Sequence, residues 1–484
     1  MRSAAAEKAN KQSIGEAIMS DVLGPIIGHT TDTTAKIWMR GKKEGTDAEP
    51  VCVGAIEVRD AGGHVQSRYC RLLSHHDFTG CVTMNGLSAA TEYNVRIGIE
   101  CMAAGSEPPI DHGIPDPIIS GDPLETSTFR TAPAPDSVAL RFVFGSCRYN
   151  FWWGNASKGD KTFRSILARH GNNRLDLMIM LGDQIYADPL NVVGQANELE
   201  EFWEIYRDYF GQPHIRLLMG QMPTYMMMDD HEIRNDWSKE QMKKYGGLFN
   251  AAIQAYESYQ HLHNPDTLRG NFWYDFRVGA FPFFAVDTRT ARIKSSTGNA
   301  RKTLLGLNQY NALIDWLFQN KGAPKLFVIS SVPFIPDNRS GEDKWSEFDE
   351  ERGRILEFIR NEGIGGVTFL SGDVHNTNFS RMKCLQDPAF EVVSLVSSPF
   401  YWPYPHEDES AFFTHRMLEY FQWKTADRRE MDFVQYQYQA EGFIAEESFV
   451  EVEIDLNASP PISRARVFGR KGKDIESYPN PFEF

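Results

Sequence analysis

The sequence predicts two fold classes in one chain, a small all-β sandwich followed by a larger α/β domain. Three observations carry this reading. Between residues 33 and 101, short segments rich in Val, Ile, Thr and Tyr are punctuated by Gly, Asp and Asn, at the spacing of a sandwich. After the Pro-rich stretch TAPAPDS (131–137), continuous apolar runs alternate with amphipathic helical stretches. That is the texture of βαβ units. A chain of 484 residues is also too long for one ordinary core.

Residues 1–22 read as a leader without an apolar h-region. No secretion signal is recognisable in it, so a cytoplasmic location is expected, or a secreted one if a leader has been removed. The sandwich is expected over 23–132, with strands near 33–40, 51–59, 65–73, 78–84 and 91–101. In GLSAATEYNVRIGI (86–99), Thr91, Tyr93, Val95 and Ile97 alternate as a strand entered through a tyrosine corner. This predicts an immunoglobulin-like or fibronectin-III-like sandwich. Nothing in it looks catalytic, so its expected role is structural or positional. The segment 131–137 is the linker.

The second domain is expected over 133–484. LRFVFGS (140–146), LDLMIMLGD (175–183), FPFFAVD (281–287), KLFVISS (325–331) and GVTFLSGD (366–373) read as strands buried on both faces. KTFRSILARHG (161–171), GLNQYNALIDWLFQNKG (306–322) and EERGRILEFIRNEG (350–363) read as helices between them. SFVEVEIDL (448–456) and ISRARVFGR (462–470) alternate with period two and predict a hairpin that closes the sheet edge.

The formal net charge of −15 argues against a general nucleic-acid or anionic-membrane binder. No run of 18 apolar residues occurs, so no transmembrane span is expected. The six cysteines include no CxxC and, Cys147 excepted for its position, are expected to be free thiols in a reducing compartment.

The chemistry lies in where polar residues follow apolar runs. FVFGS ends in Cys147, and LMIML ends in Gly182-Asp183, with Tyr186 shortly after. TYMMM ends in Asp229-Asp230-His231-Glu232, and VTFLS ends in Gly372-Asp373-Val374-His375. In an α/β sheet, sites form on loops outside the carboxyl ends of strands. Each piece alone has an ordinary explanation as a turn, a helix cap or a buried thiol. Together they would crowd several carboxylates at one edge, which repel unless cations are bound. A thiolate with a phenolate suits a Lewis-acidic ion such as ferric iron, while the carboxylates suit a harder ion. A carboxylate shared by two ions sets a spacing of roughly 4 Å, fit to activate water and clamp a phosphoryl group.

The motifs FGSCRYN, MLGDQIYAD, MMMDDHEIRNDW, FFAVDTRTAR, EDKWSEFDEERGRILEF and FLSGDVHN stand in this order along the chain. In them the chain resembles the PhoD-like phosphatases (alkaline phosphatase D) of the calcineurin-like metallophosphoesterase superfamily. The resemblance covers nearly everything after residue 23 and implies a four-layer α/β/β/α metallophosphatase domain. It implies Fe3+ bound by Cys147, Asp183, Tyr186 and His375, and Ca2+ near Asp183, Asp230, Asn235 and Asp373, with Mn2+, Mg2+ or Zn2+ as substitutes. Met228 stands where the family usually has Trp, and Arg148 where Gln is common.

The implied activity is hydrolysis of phosphomonoesters or phosphodiesters by in-line attack of a metal-activated hydroxide. His231 is the expected proton donor to the leaving oxygen. Arg148 or Arg289 is expected to stabilise the equatorial oxygens. For Arg289 and Arg292, pairing with Asp287 is an equal alternative. Tyr401 and Trp402, in the loop SSPFYWPYPH (397–406), are candidates to line a substrate cleft, with packing over the core at least an equal alternative. The expected partner is a small-molecule or lipid-linked phosphoester, not nucleic acid. The competing readings are a binuclear-metal hydrolase of a non-phosphate ester or amide, and an inactive binding protein. Colour from a thiolate- or phenolate-bound ferric ion would argue against the inactive reading.

Overall fold

The computed structural model describes residues 22–41, 51–102, 113–119, 123–150, 155–189, 194–295, 302–334, 344–423, 431–475 and 481–484. The expected leader lies outside the described residues, except for Val22.

Seven strands come first: β1 (Val22–Thr30), β2 (Thr34–Gly41), β3 (Val51–Arg59), β4 (Val65–Arg71), β5 (Thr79–Asn85), β6 (Glu92–Met102) and β7 (Glu125–Arg130). They form two sheets, ordered β1-β2-β5 and β4-β3-β6-β7. Period-two alternation sends Ile37, Val82 and Met84 from one sheet and Ile56, Val95 and Ile97 from the other into one shared core. The Tyr93 hydroxyl accepts the Ser88 amide at 2.9 Å, which is the corner read from the sequence. β1 and β7 were not expected. Gly24-Pro25 interrupts the first, and Phe129 is the single buried residue of the second.

Two larger mixed sheets follow. One contains β8 (Ala139–Gly145), β9 (Leu177–Met180), β10 (Thr224–Met226), β19 (Ser448–Asp455), β20 (Ile462–Gly469) and β21 (Phe482–Glu483), in the order β10-β9-β8-β19-β20-β21. The other contains β11 (Tyr274–Val278), β12 (Phe281–Ala285), β13 (Leu326–Ser330), β14 (Val367–Ser371), β15 (Thr377–Cys384), β16 (Glu391–Val396), β17 (His415–Trp423) and β18 (Met431–Ile444). Its order is β11-β12-β13-β14-β16-β15-β18-β17.

Phe142, Phe144 and Ile179 of the first sheet share a core with Phe283, Phe327 and Leu370 of the second. Burying each such phenylalanine contributes about 2 kcal/mol. The opposite faces carry helices. Val143, Met178 and Met226 meet the helices Asn155–Asn172, Leu199–Phe210, Pro213–Gln221 and Met242–Tyr259. Phe284, Val328 and Phe369 meet Gly306–Gln319 and Asp349–Asn361. Both faces being buried explains why these strands read as unbroken apolar runs. Among the described residues, no helix is long and apolar enough to cross a membrane.

The C-terminal hairpin departs from expectation. β19 inserts beside β8 in mid-sheet, and β21 lies beyond β20 at the edge. Pairing with β8 buries both faces of β19, whereas the sequence pattern reports the alternation alone. His261 and His263 lie in a short 3-10 turn after the helix Met242–Tyr259.

Candidate metal centre and active site

β8, β9 and β10 run parallel, and Gly145, Met180 and Met226 sit level across them. Their following loops therefore start at one edge, with Cys147, Asp183 and Asp229-Asp230 only a few residues on. β14 delivers Asp373 and His375 from the facing sheet. Four of the eight described non-glycine residues with positive φ are Cys147 (59°), Asp183 (54°), Asp373 (69°) and His375 (46°). Such conformations cost about 1–3 kcal/mol each and persist where the surroundings over-determine them, typically at functional sites.

The glycines before the aspartates act by close approach. A Cβ on Gly182 (φ 106°) would lie 2.4 Å from Asp229 Cβ, and one on Gly372 would lie 2.3 Å from Ser146 Oγ. Only Gly182 also supplies the turn that its sequence position suggests; Gly372 has no positive φ.

Carboxylate oxygens of Asp183, Asp229, Asp230 and Asp373 lie within 4.8 Å of one another, and Asp183 and Asp230 form a second such group with His231. One oxygen of Asp183, Oδ2, is 3.4 Å from both Cys147 Sγ and the Tyr186 hydroxyl. Its other oxygen accepts the His231 amide at 3.3 Å. The Ser398 hydroxyl donates to Cys147 Sγ at 3.3 Å. The His375 amide donates to the Ser398 hydroxyl at 3.1 Å, and its ring stacks on Trp402 with centroids 3.9 Å apart. The Tyr186 ring lies 4.2 Å from His231 and 5.8 Å from Trp402. Cys147, Asp183, Tyr186, Asp230, His231, Asp373, His375 and Trp402 are thus brought together.

Four candidates sit elsewhere or do something else. Arg148 is fully buried, donates to the Tyr209 carbonyl at 2.7 Å and packs over Phe163 and Tyr209. Its guanidinium serves the helix layer, because the chain turns it away at the end of β8. The Asn235 carboxamide donates to exposed Asp236. Tyr401 turns its ring toward Gly159 and Arg470; its backbone amide donates to the Cys147 carbonyl at 3.1 Å. Arg289 does reach the cluster, but its Nε donates to Asp229 at 2.5 Å and its Nη2 lies 3.4 Å from Asp230. Asp287 accepts the backbone amides of Arg289 (2.8 Å) and Thr290 (3.0 Å) and the Thr290 hydroxyl, and Arg292 donates to the Thr288 carbonyl.

Three carboxylates escaped the sequence reading. Asp229 belongs to the cluster and is anchored by Arg289 and by the Ser331 hydroxyl at 2.6 Å. Asp188 is fully buried, faces His231 Nδ1 at 2.6 Å and accepts the Asn235 amide at 2.6 Å. Glu232 accepts the amides of Asp183 (3.0 Å), Gln184 (2.7 Å) and Asp229 (2.7 Å), and so ties two ligand loops together. The runs MLGDQIYAD and DDHE contain all three, but nothing local says that both adjacent aspartates join the cluster.

Electrostatics fit a cation. Burial pushes the Asp183 carboxyl well above its usual range; Asp229, Asp230 and Glu232 add to this and His231 partly offsets it. Burial, then Asp183 and Asp373, push the Cys147 thiol far up. Burial, then Cys147 and Asp183, do the same to Tyr186. Burial alone would lower His231, but Asp188, Asp230 and Asp183 outweigh it and raise it. Buried Asp230 Oδ1 accepts no hydrogen bond. Asp183, Cys147 and Tyr186, all costly to ionise and converging on one point, make a site that a cation relieves.

A family model described as PhoD-like phosphatase matches residues 142–453. The chain belongs to the PhoD-like phosphatase family. Alkaline phosphatase D of Bacillus subtilis (strain 168) is 25% identical over 297 residues, 51% of this chain and 48% of that protein. The match therefore spans about half the length of the curated relative. A solved structure of PhoD superposes with a TM-score of 0.61 at 17% identity, over 94% of this chain and 92% of that one. Purple acid phosphatase PPD1 from yellow lupin (Lupinus luteus) seeds gives 0.59 at 13% identity, over 95% and 74%. At these identities the two structures speak for a shared fold of mixed sheets and helices. Membership of the PhoD-like family fits the cation-seeking edge described above.

Proposed function

We propose that this PhoD-like chain is a metal-dependent phosphoester hydrolase. The observation that carries the reading is Asp183, whose carboxylate faces Cys147 and Tyr186 on one oxygen and belongs to the acidic cluster of Asp230 and Asp373. Cys147, Asp183, Tyr186 and His375 would hold Fe3+, and Asp183, Asp230 and Asp373 would hold Ca2+. Bound there, the ions would supply an activated water and neutralise phosphoryl charge. Asp188 fixes the His231 ring through Nδ1, which leaves Nε2 to give a proton to the leaving oxygen. Asp229 and Arg289 hold the Asp230 loop against Ser331. Trp402, half-exposed Tyr404 and Tyr149 make an aromatic wall beside His375, with a place for an apolar or lipid-linked leaving group.

The test is hydrolysis of p-nitrophenyl phosphate and bis-p-nitrophenyl phosphate by folded, metal-loaded protein. Inactivity on both, and on natural phosphoesters, would sink the reading. His231→Gln should slow alkyl phosphoesters more than p-nitrophenyl esters, whose good leaving group needs no proton. Equal slowing would remove His231 as the acid.

The four-layer α/β/β/α description of 133–484, the immunoglobulin-like description of 23–132 and the linker at 131–137 are also our reading. It is supported by the N-terminal strands' own core around Ile37 and Ile97, with Leu23, Ile26 and Trp38 packing instead on the helices of the second part. Limited proteolysis that never cuts near 131–137 would count against the boundary. A reducing, cytoplasmic location is proposed on the free thiols of Cys70, Cys81 and Cys384. Cell fractionation tests it.

A further inference from the structure

The segment 258–266, at the end of the helix Met242–Tyr259, lies between the N-terminal strands and β10, the strand that leads into Asp229 and Asp230. On one side the N-terminal strands grip it. Trp38 Nε1 donates to the Ser258 carbonyl at 2.8 Å. Lys36 Nζ donates to the carbonyls of Asn264 at 2.8 Å and Leu262 at 3.3 Å, and pairs with Asp266 at 2.6 Å. The Lys36 side chain is only 10% exposed, so these three oxygens replace its water. Packing is tight enough that a Cβ on Gly28 would lie 2.1 Å from the His263 carbonyl oxygen.

On the other side the same segment holds the metal centre. β10 is the edge strand of its sheet, so its outer backbone groups need partners. The Asn264 side chain supplies them: Oδ1 accepts the Met226 amide at 3.1 Å, and Nδ2 donates to the Met226 carbonyl at 2.7 Å. Gln260 Nε2 donates at 3.2 Å to Glu232, the carboxylate that also accepts the Asp229 and Asp183 amides. Strand pairing on one side, and the Asn264 side chain with the Tyr274 hydroxyl (2.8 Å to the Met226 carbonyl) on the other, thus fix the last residue of β10.

We propose that the N-terminal strands are an intramolecular brace for the metal centre, with Lys36 as a positioning residue that acts through Asn264 on β10. Lys36 touches no ion and no substrate. It fixes the Asn264 backbone, and the Asn264 side chain then fixes the end of β10 and the approach of Asp229 and Asp230 to Asp183. The brace acts on the half of the site carried by β10. The half carried by β14, with Asp373 and His375, lies on the other large sheet and is independent of it.

The experiment uses the full chain with Lys36→Met, which keeps the apolar stem and removes the donors. Backbone amide hydrogen exchange should speed up at Met226 and Asp229 by at least ~10-fold. Exchange at Gly372 to His375 should change less than about twofold. Titration with Ca2+ should show affinity weakened by at least ~5-fold. Unchanged exchange at Met226, or equal acceleration throughout the protein, overturns the brace. If the variant does not fold, wild-type exchange in rising urea decides. β1, β2 and β10 should lose protection together and before Gly372; β10 still protected after β1 and β2 have opened overturns the proposal. The affinity arm rests on the metal-centre reading. A wild-type chain that takes up no Ca2+ counts against that reading, and the exchange data then decide the brace alone.

Discussion

Two buried aspartates, Asp183 at the metal centre and Asp77 beneath the N-terminal strands, are pushed in opposite directions. Burial raises both. At Asp77 the hydrogen bonds of Arg40 and Tyr259 and the charges of Arg40 and Arg207 more than repay it, and the carboxyl ends below its usual range. Arg40 reaches it through Nε at 2.8 Å and Nη2 at 2.9 Å, and Arg207 at 2.8 Å. At Asp183 the neighbours include Asp229, Asp230 and Glu232, and the carboxyl ends far above its usual range. Asp77 is a finished interaction that ties the N-terminal strands to the helices. Asp183 is unfinished without a cation, and that distinguishes a functional cluster from a structural one.

The largest expected effect breaks the unfinished side. Asp183→Asn should cut phosphodiester hydrolysis by about 10³-fold and lower the metal content found by elemental analysis, while leaving the protein folded. A variant with full metal content and activity would remove the distinction. Next, Asp77→Asn leaves Arg40 and Arg207 facing a neutral amide. The loss should be about 3 kcal/mol of stability in urea denaturation, at the low end for a buried pair because the Arg207 side chain is 25% exposed. Activity per folded molecule should hardly change.

Acid sharpens the comparison, because the two regions respond with opposite sign. His29 and His261 are lowered to about 4, and His263 to about 3, by burial first and then by Lys36. Unfolded histidines titrate near 6.5. Their contribution is complete above that pH and is lost as pH falls from 6.5 toward 4. Asp183, raised when folded, instead favours the metal-free fold as pH falls. Between pH 7 and pH 5, metal-free Asp183→Asn protein should therefore lose Tm more steeply than wild type. Parallel Tm curves would show that Asp183 does not oppose the histidines. The smallest effect concerns the aromatic wall. Trp402→Ala should raise KM for aryl phosphodiesters by about 2–10-fold with little change in kcat.

The sequence by itself determined a good deal. Apolar runs ending in Cys147, Asp183, Asp230 and Asp373 placed a thiol and three carboxylates at strand ends, because strand direction alone decides which end a loop leaves from; that the first three leave one sheet and Asp373 the facing one needed the fold. Alternation around Tyr93 gave the corner of the N-terminal strands for the same local reason. Tertiary structure decided where side chains point and what they meet. Arg148 follows Cys147 directly, yet its guanidinium enters the helix layer, since successive residues leave a strand end in different directions. Asp188 becomes the partner of His231 across 43 positions, and Glu232 ties loops that the sequence keeps 49 apart. β19 reads as an edge hairpin but pairs with β8 more than 300 positions away. Periodicity records how one segment meets its surroundings, whereas pairing depends on which distant segment arrives. That is why the candidate ligands were legible in the chain, while the brace through Lys36 and Asn264 needed the fold.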